Sequence, residues 1–121
     1  MDFFIAGYGT TVCTISHICY YLAKHEECQQ ILFEELSRVE QLSEESLTEL
    51  KYLNAVIKET LRISPVSGRY DREAAHDYRL GDTGIVVPKG CLVTISPYNV
   101  HHNPEYYPIE YNILSLYCDQ M

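Results

Sequence analysis

Basic residues are scarce in this sequence. Lysine and arginine together number 9 among 121 residues, against 17 aspartates and glutamates, and the formal net charge is −8. Nucleic-acid binding through phosphates needs a basic patch on the protein surface. The charge balance therefore argues against a nucleic-acid partner. The acidic side chains cluster between Glu26 and Glu59, where we interpret them as the solvated faces of two helices.

Paired cysteines are also absent. The 5 cysteines are odd in number, and no Cys-x-x-Cys motif occurs among them. Neither a disulfide framework nor a zinc site is therefore expected, and we assign no metal-ligating residue. The sequence contains no internal repeat and no linker rich in proline, glycine or serine, so its length predicts one domain at most.

Charged residues are missing from the whole of residues 3–23. This stretch is long enough to cross a bilayer, and a small membrane-anchored protein is one interpretation. It also carries glycine, threonine, serine and histidine residues, whose polar groups would need partners in lipid. A central helix buried in a protein core is therefore favoured. No signal peptide is visible, because Asp2 replaces the positive residues that begin one.

Apolar periodicity predicts three helices. The first covers residues 3–24 and the second residues 26–39. The third begins with the capping-box pattern Ser46-x-x-Glu49 and ends by Ser64, because the helical conformation is disfavoured for the residue before Pro65. Its predicted buried stripe consists of Leu50, Leu53, Ile57 and Leu61, with Val56 beside it.

The pattern changes after Pro65. Residues 67–78 are polar and irregular, and residues 79–80 and 84–87 are predicted to be short strands. Pro88, Lys89 and Gly90 form a predicted turn, and residues 92–95 are the returning strand. The sequence therefore predicts a mainly α fold with a small β hairpin.

Two glycines interrupt the first helix, within Ala6-Gly7-Tyr8-Gly9-Thr10-Thr11. A glycine inside a helix costs roughly 1 kcal/mol relative to alanine, and threonine hydroxyls compete for the carbonyls one turn back. A central helix with such a weak point needs a reason, and close approach of a ligand is one.

Residues 52–62 read Tyr-Leu-Asn-Ala-Val-Ile-Lys-Glu-Thr-Leu-Arg and closely resemble the K helix of the cytochrome P450 family. On their own, Glu59 and Arg62 lie three residues apart on one helix face and would form a surface ion pair worth little. The resemblance implies a different role. It implies a buried structural network with a further arginine from a later segment, which supports folding and haem placement.

Residues 6–11 resemble the I-helix motif of the same family. The resemblance implies that this helix crosses over the haem, that the glycine allows a local widening where dioxygen sits, and that Thr10 steers protons to the oxygen. A hydroxyl suits this task because it both donates and accepts a hydrogen bond. Gly9 stands where the family has an acidic residue, so the relay is expected to deliver protons less well.

The resemblance implies further site residues. Arg72 would pair with a haem propionate, as an arginine does at this place in the microsomal, drug-metabolising branch, and a guanidinium fork suits a carboxylate. Arg69 is a weaker candidate for the same task. Ala6 and Thr10 would also contact the haem. The substrate pocket would be lined by Ile5, Ala6, Val66 and Ser67.

The resemblance covers residues 3–108 and then stops. Residues 109–121 form a divergent tail, in which Cys118 has no glycine or arginine around it. The family's loop of the form Phe-x-x-Gly-x-Arg-x-Cys, whose thiolate binds the haem iron, has no counterpart here. We therefore interpret residues 1–108 as a partial cytochrome P450 domain without its membrane anchor, followed by the tail at residues 109–121.

The activity that the resemblance implies is monooxygenation, in which haem activates dioxygen and one oxygen atom enters a hydrophobic small-molecule substrate. The implied electron donor is NADPH-cytochrome P450 reductase, and the implied location is the cytoplasmic face of the endoplasmic reticulum membrane. For this chain alone we expect no stable haem and no turnover, because the cysteine loop is missing. A non-enzymatic truncated isoform that binds a protein partner is the alternative.

Overall fold

The computed structural model describes residues 5–41 and 43–107. A π-helical turn at Ile5–Gly9 leads into the first α-helix. The elements after this turn are, in chain order, α1 (Thr10–Lys24), α2 (Glu26–Ser37), α3 (Glu44–Glu49), α4 (Lys51–Ile63), β1 (Tyr70–Glu73), β2 (Tyr78–Arg79), β3 (Val86–Val87), β4 (Leu92–Ile95) and α5 (Pro97–His101). The prediction of a mainly α fold with a small β hairpin is confirmed.

The hydrophobic core lies between α2 and α4. Cys28 and Leu32 of α2 pack with Tyr52 and Val56 of α4, and all four side chains are buried. Removing these apolar surfaces from water is the main favourable term in folding. Three partly buried residues of α1 close the cluster from one side: Ile18, Tyr21 and Leu22.

Helix α1 does not match the prediction of a buried central helix. Within the described residues, none of its side chains is buried, and Val12 and Ile15 are 41% and 54% exposed. The helix packs against α2 and α4, and the Tyr21 hydroxyl lies 2.7 Å from the Ser64 hydroxyl at the end of α4. No helix in residues 5–41 and 43–107 has both the length and the apolar character needed to cross a membrane.

The third predicted helix begins earlier than expected and is divided in two. Ser43 is the N-cap residue of α3, and the Ser43 and Ser46 hydroxyls accept from each other's backbone N–H groups in a capping box. Ser46 is therefore the last residue of this box, although the sequence predicted it to be the first. Leu50, with φ −72° and ψ 98°, separates α3 from α4.

The prediction of the buried stripe is confirmed for Leu50 and Val56, which are 7% and 1% exposed. It is wrong for Leu53, Ile57 and Leu61, which are not buried. The residues of α4 that are buried are Tyr52, Ala55, Val56 and Thr60. Leu61 is 37% exposed, and with Ile57 it faces the groove between α1 and α4. Periodicity alone cannot choose between two neighbouring stripes of one helix when both contain apolar residues.

A carboxylate from α2 caps the start of α4. The two oxygens of Glu35 accept hydrogen bonds from the backbone N–H groups of Tyr52 and Leu53, each at 2.9 Å. The first N–H groups of a helix have no partner inside the helix, and the helix dipole favours a negative charge there. The interpretation of the acids between Glu26 and Glu59 as solvated faces is therefore wrong for Glu35.

Two antiparallel pairs of short strands follow α4. β1 pairs with β4 in a register that sets Arg72 opposite Val93, and β2 pairs with β3 with Tyr78 opposite Val87. The prediction that residues 67–78 are irregular is wrong for β1. Its side chains are polar and mostly exposed, so the strand carries no alternating apolar pattern.

The predicted turn at Pro88, Lys89 and Gly90 is present, but the strand after it has a different partner from the one predicted. Gly90 has a positive φ of 79°, a conformation that glycine adopts at little cost. Its N–H donates to the Ala74 carbonyl at 2.8 Å, and the Ala74 N–H donates to the Cys91 carbonyl at 3.0 Å. These bonds place β4 beside β1 instead of beside β3.

The Glu35 cap predicts a loss of stability in Glu35→Gln. A glutamine has one acceptor oxygen, and its amide nitrogen would direct an N–H at the second backbone N–H. We expect the free energy of unfolding in urea to fall by about 1 kcal/mol. Glu34→Gln is the matched control, because Glu34 is exposed and, among the residues that the structure describes, bonds only the Gln30 side chain. Equal stability of the two variants would contradict the cap.

Unlike Glu35→Gln, the substitution Thr60→Val is expected to keep or raise the stability of the chain. The Thr60 side chain is 1% exposed, and its hydroxyl has no hydrogen-bond partner in the described part of the chain. An unsatisfied buried hydroxyl costs roughly 1–3 kcal/mol. Thr60→Val replaces this hydroxyl by a methyl group of similar shape, so we expect equal or higher stability in a urea melt. Thr60→Ser keeps the hydroxyl and loses the methyl group, and it should be less stable. A valine variant less stable than the serine variant would refute this assignment.

Candidate functional site

The glycine-containing segment at the start of α1 forms a π-helical turn. This turn covers Ile5–Gly9, and the regular α-helix begins at Thr10. A π-turn has wider hydrogen-bond spacing than an α-helix and occurs frequently at functional sites. A Cβ atom added at Gly7 or Gly9 would meet no described atom within 4 Å. The local widening expected at these glycines is therefore observed.

Thr10 is the first residue of α1, directly after the π-turn. Its hydroxyl donates to the Ala6 carbonyl at 2.9 Å, and the Thr14 hydroxyl donates to the Thr10 carbonyl at the same distance. Both threonines thus bond to their own helix, as helix threonines commonly do. The Thr10 oxygen still has lone pairs with which it can accept a hydrogen bond from a ligand.

An open groove of about 440 Å³ runs between α1 and α4. The residues that line this α1–α4 groove are Thr10, Thr11, Thr14, Ile15, Ile18, Ile57, Leu61 and Val66. The groove brings together two of the site residues predicted from the sequence, Thr10 and Val66. Ala6 and Ser67 do not line it, and the Ser67 hydroxyl donates to the Arg69 carbonyl at 2.7 Å. The side chain of Ile5 lies outside the described part of the structure.

Glu59 and Arg62 form a bidentate ion pair near the end of α4. The Arg62 Nε donates to Glu59 Oε2 at 2.8 Å, and Arg62 Nη2 donates to Oε1 at 2.7 Å. Their side chains are only 16% and 17% exposed, so the pair is not the solvated one that its spacing alone would suggest. The hydrogen bonds that Arg62 donates to Glu59 raise the pKa of the Arg62 guanidinium, and burial acts in the opposite direction.

Two residues that sequence reasoning did not assign complete this ion-pair site. Arg62 Nη1 donates to the His101 carbonyl at 2.8 Å, and the Arg62 guanidinium carbon lies 5.0 Å from the centre of the Tyr107 ring. The sequence signal for α5 was present in Ser96 and Pro97, which begin the helix as N-cap and first residue. Arg69, Arg72 and Arg79 follow Arg62 in the sequence, but within the described residues none of these three forms an ion pair with Glu59.

Arg72 and Arg69 differ in their partners. Arg69 Nε lies 3.2 Å from the Asp71 carboxylate. Arg72 donates to the Asp71 carbonyl at 2.8 Å, and it forms no ion pair with a carboxylate in residues 5–41 and 43–107. Arg72 lines a second groove, of about 320 Å³, between the two strand pairs. The structure therefore does not bring Arg72 and Thr10 into one groove.

The residue types at each groove suit the haem that the resemblance implies, although Arg72 and Thr10 line different grooves. The α1–α4 groove offers aliphatic side chains for the apolar face of a porphyrin, together with threonine side chains. A guanidinium without a carboxylate partner, as at Arg72, suits a propionate. No cluster of three or more metal-ligating side chains occurs within the described ranges.

Comparison with known proteins connects this geometry to one family. The sequence model described as Cytochrome P450 matches residues 1–109. The chain is 35% identical over 117 residues to cytochrome P450 6B7 of Helicoverpa armigera, covering 91% of this chain and 23% of that protein. It is 37% identical over 110 residues to cytochrome P450 3A2 of Rattus norvegicus, covering 88% of this chain and 21% of that protein.

The structural comparison agrees with the sequence comparison. A solved structure, the retinoic acid bound cyanobacterial CYP120A1, superposes with a TM-score of 0.76 and 32% sequence identity. The match covers 85% of this chain and 23% of that one. The chain thus spans about a quarter or less of the length of the proteins that it resembles.

The bidentate pair predicts that Arg62→Lys is destabilising although it keeps the charge. A lysine ammonium is a compact point charge without a planar fork, so it cannot serve both Glu59 oxygens and the His101 carbonyl in the same geometry. We expect the free energy of unfolding to fall by about 1–3 kcal/mol, measured by urea denaturation. Arg38→Lys is the control, because Arg38 is exposed at the end of α2. An equal effect of the two substitutions would argue against the fork.

Proposed function

The chain belongs to the cytochrome P450 family, and on that premise we propose that it forms part of the haem pocket of a monooxygenase. Such an enzyme inserts one oxygen atom of O2 into a hydrophobic small molecule. The observation that carries this proposal is the π-turn at Ile5–Gly9, directly followed by Thr10, which lines a mostly apolar groove. When bound, haem supplies the activation of dioxygen, and the protein supplies orientation and proton control.

In this proposal Thr10 holds and passes a proton at the oxygen site. Its hydroxyl donates to the Ala6 carbonyl, which leaves the lone pairs of Oγ1 free to accept. A proton donor that approaches along the groove can then be held at Oγ1. To pass its own proton toward the oxygen site, the hydroxyl would turn away from that carbonyl while Oγ1 receives a proton from the incoming donor. Gly9 contributes no carboxylate to this path, and proton delivery would depend on Thr10 and on water.

Arg72 is proposed to hold a haem propionate, with Arg69 as the weaker candidate. The ion pair between Arg69 and Asp71 leaves Arg72 as the guanidinium with the greater capacity for a new carboxylate. Val66 is proposed to line the substrate pocket, because it stands in the wall of the α1–α4 groove. Ala6, Ser67 and Ile5 keep the same proposed role through the family resemblance alone.

The catalytic cycle as a whole is proposed for a protein that carries this segment, since the chain spans 21% to 23% of the relatives' length. NADPH-cytochrome P450 reductase is the proposed electron donor, and the cytoplasmic face of the endoplasmic reticulum membrane is the proposed location. The 121 residues contain no Phe-x-x-Gly-x-Arg-x-Cys sequence. We therefore propose that they do not ligate haem through a thiolate by themselves. Cys118 lies outside the described residues.

A chimera tests the role of Thr10. Residues 5–107 of this chain would replace the matching segment of rat cytochrome P450 3A2, and the carbon monoxide difference spectrum would verify a thiolate-ligated haem. In Thr10→Ala we expect the product formed per NADPH consumed to fall by about tenfold or more, with a rise in hydrogen peroxide. Thr10→Ser keeps the hydroxyl and should retain most of the coupling between NADPH use and product.

Thr48→Ala is the control for this experiment. Thr48 is an exposed threonine of α3 whose hydroxyl also donates to a backbone carbonyl of its own helix, that of Glu45, at 2.7 Å. Its loss should leave the coupling unchanged. The proposed role of Thr10 is wrong if Thr10→Ala and Thr48→Ala are equally well coupled. A chimera that shows no thiolate-type spectrum would contradict the haem-pocket proposal itself.

A further inference from the structure

The carboxyl ends of α4 and α5 exchange two hydrogen bonds. The Arg62 side chain donates to the backbone carbonyl of His101, the last residue of α5, at 2.8 Å. In return, the His101 imidazole Nδ1 lies 3.1 Å from the backbone carbonyl of Arg62. The last carbonyls of a helix have no N–H partner inside it. Each side chain therefore satisfies a carbonyl at the end of the other helix.

The second of these bonds fixes where the His101 proton resides. A carbonyl oxygen only accepts hydrogen bonds, so the imidazole must donate, and Nδ1 must carry the proton. In neutral His101 the lone pair is then on Nε2. The imidazole also meets the Tyr107 ring edge-on, with ring centres 6.4 Å apart, so Tyr107 contacts both the imidazole and the guanidinium.

We infer that His101 is a positioning residue for the Glu59–Arg62 pair. One of the two reciprocal bonds holds the Arg62 guanidinium, and the other holds the Arg62 backbone carbonyl. Together they connect the ends of the two helices at two points. A guanidinium held at Nη1 by His101 has its Nε and Nη2 directed at the two Glu59 oxygens, at 2.8 and 2.7 Å. Without the bond from the imidazole, the carboxyl ends of α4 and α5 can separate. Arg62 then loses the His101 carbonyl as its third hydrogen-bond acceptor.

This inference deepens the proposed function in one respect. If the Glu59–Arg62 pair helps to place the haem, then His101 contributes to that placement, because it holds Arg62 in position. That consequence rests on the proposed function, whereas the positioning of Arg62 can be measured in the 121-residue chain without haem. The two can therefore fail separately.

Nuclear magnetic resonance of the labelled full chain tests the inference. Long-range proton–nitrogen correlations should show neutral His101 with its proton on Nδ1. The exchange of the Arg62 Nε–H with water should become about 2- to 10-fold faster in His101→Gln and His101→Phe, which corresponds to the net worth of one hydrogen bond. His101→Asn should restore slow exchange, because its amide nitrogen occupies nearly the position of Nδ1.

A control at the neighbouring histidine makes the result specific. His102 is the neighbouring exposed histidine, stacked on Tyr98 and bonded through Nδ1 to the Tyr98 carbonyl at 2.8 Å. His102→Phe should leave Arg62 exchange unchanged. The inference is overturned if the asparagine and phenylalanine variants of His101 exchange equally fast. It is also overturned if neutral His101 carries its proton on Nε2 in the unsubstituted chain, a measurement that needs no variant to fold.

Discussion

The guanidinium of Arg62 needs several hydrogen-bond acceptors around it, and the packing of the neighbouring helices supplies them. A guanidinium carries five N–H donors, and this side chain is only 17% exposed, so donors without acceptors would be costly. Glu59 accepts from two of its nitrogens, and the carbonyl of His101, 39 residues later, accepts from the third. Acceptors so far apart in the sequence can be supplied together only if α4 and α5 meet in one arrangement.

Helix α4 is held at both ends by side chains from elsewhere in the chain. Glu35 of α2 accepts from its first N–H groups, and His101 of α5 bonds to one of its last carbonyls. Between these ends, Tyr52 and Val56 pack into the core with α2, while the apolar side chains next to them face α1. The position of the α1–α4 groove, and of Thr10 beside it, follows from this fixed helix.

Features of the fold that depend on one or two neighbouring residues were predicted correctly from the sequence. The glycines before Thr10 predicted an interruption within the first helix, Pro65 predicted the end of α4, and Gly90 predicted a turn. The start of α3 was mispredicted for a local reason, because its capping box has Ser46 where the usual pattern has Glu or Gln. Part of the buried stripe of α4 and the partner of β4 were mispredicted because each depends on which segment packs alongside. Several alternatives satisfy the local pattern equally well, and only long-range contacts select one.

The sequence by itself determined the family, the mainly α class, the interruption of the first helix before Thr10 and the spacing of Glu59 and Arg62, because each is a property of consecutive residues. The tertiary structure decided that this pair is buried, that Glu35 is a helix cap and that His101 and Tyr107 join Arg62. It also decided that Thr10 and Val66 share a groove that Arg72 does not line. The physical reason is that burial and hydrogen-bond satisfaction are set by segments many residues away, which no local pattern encodes.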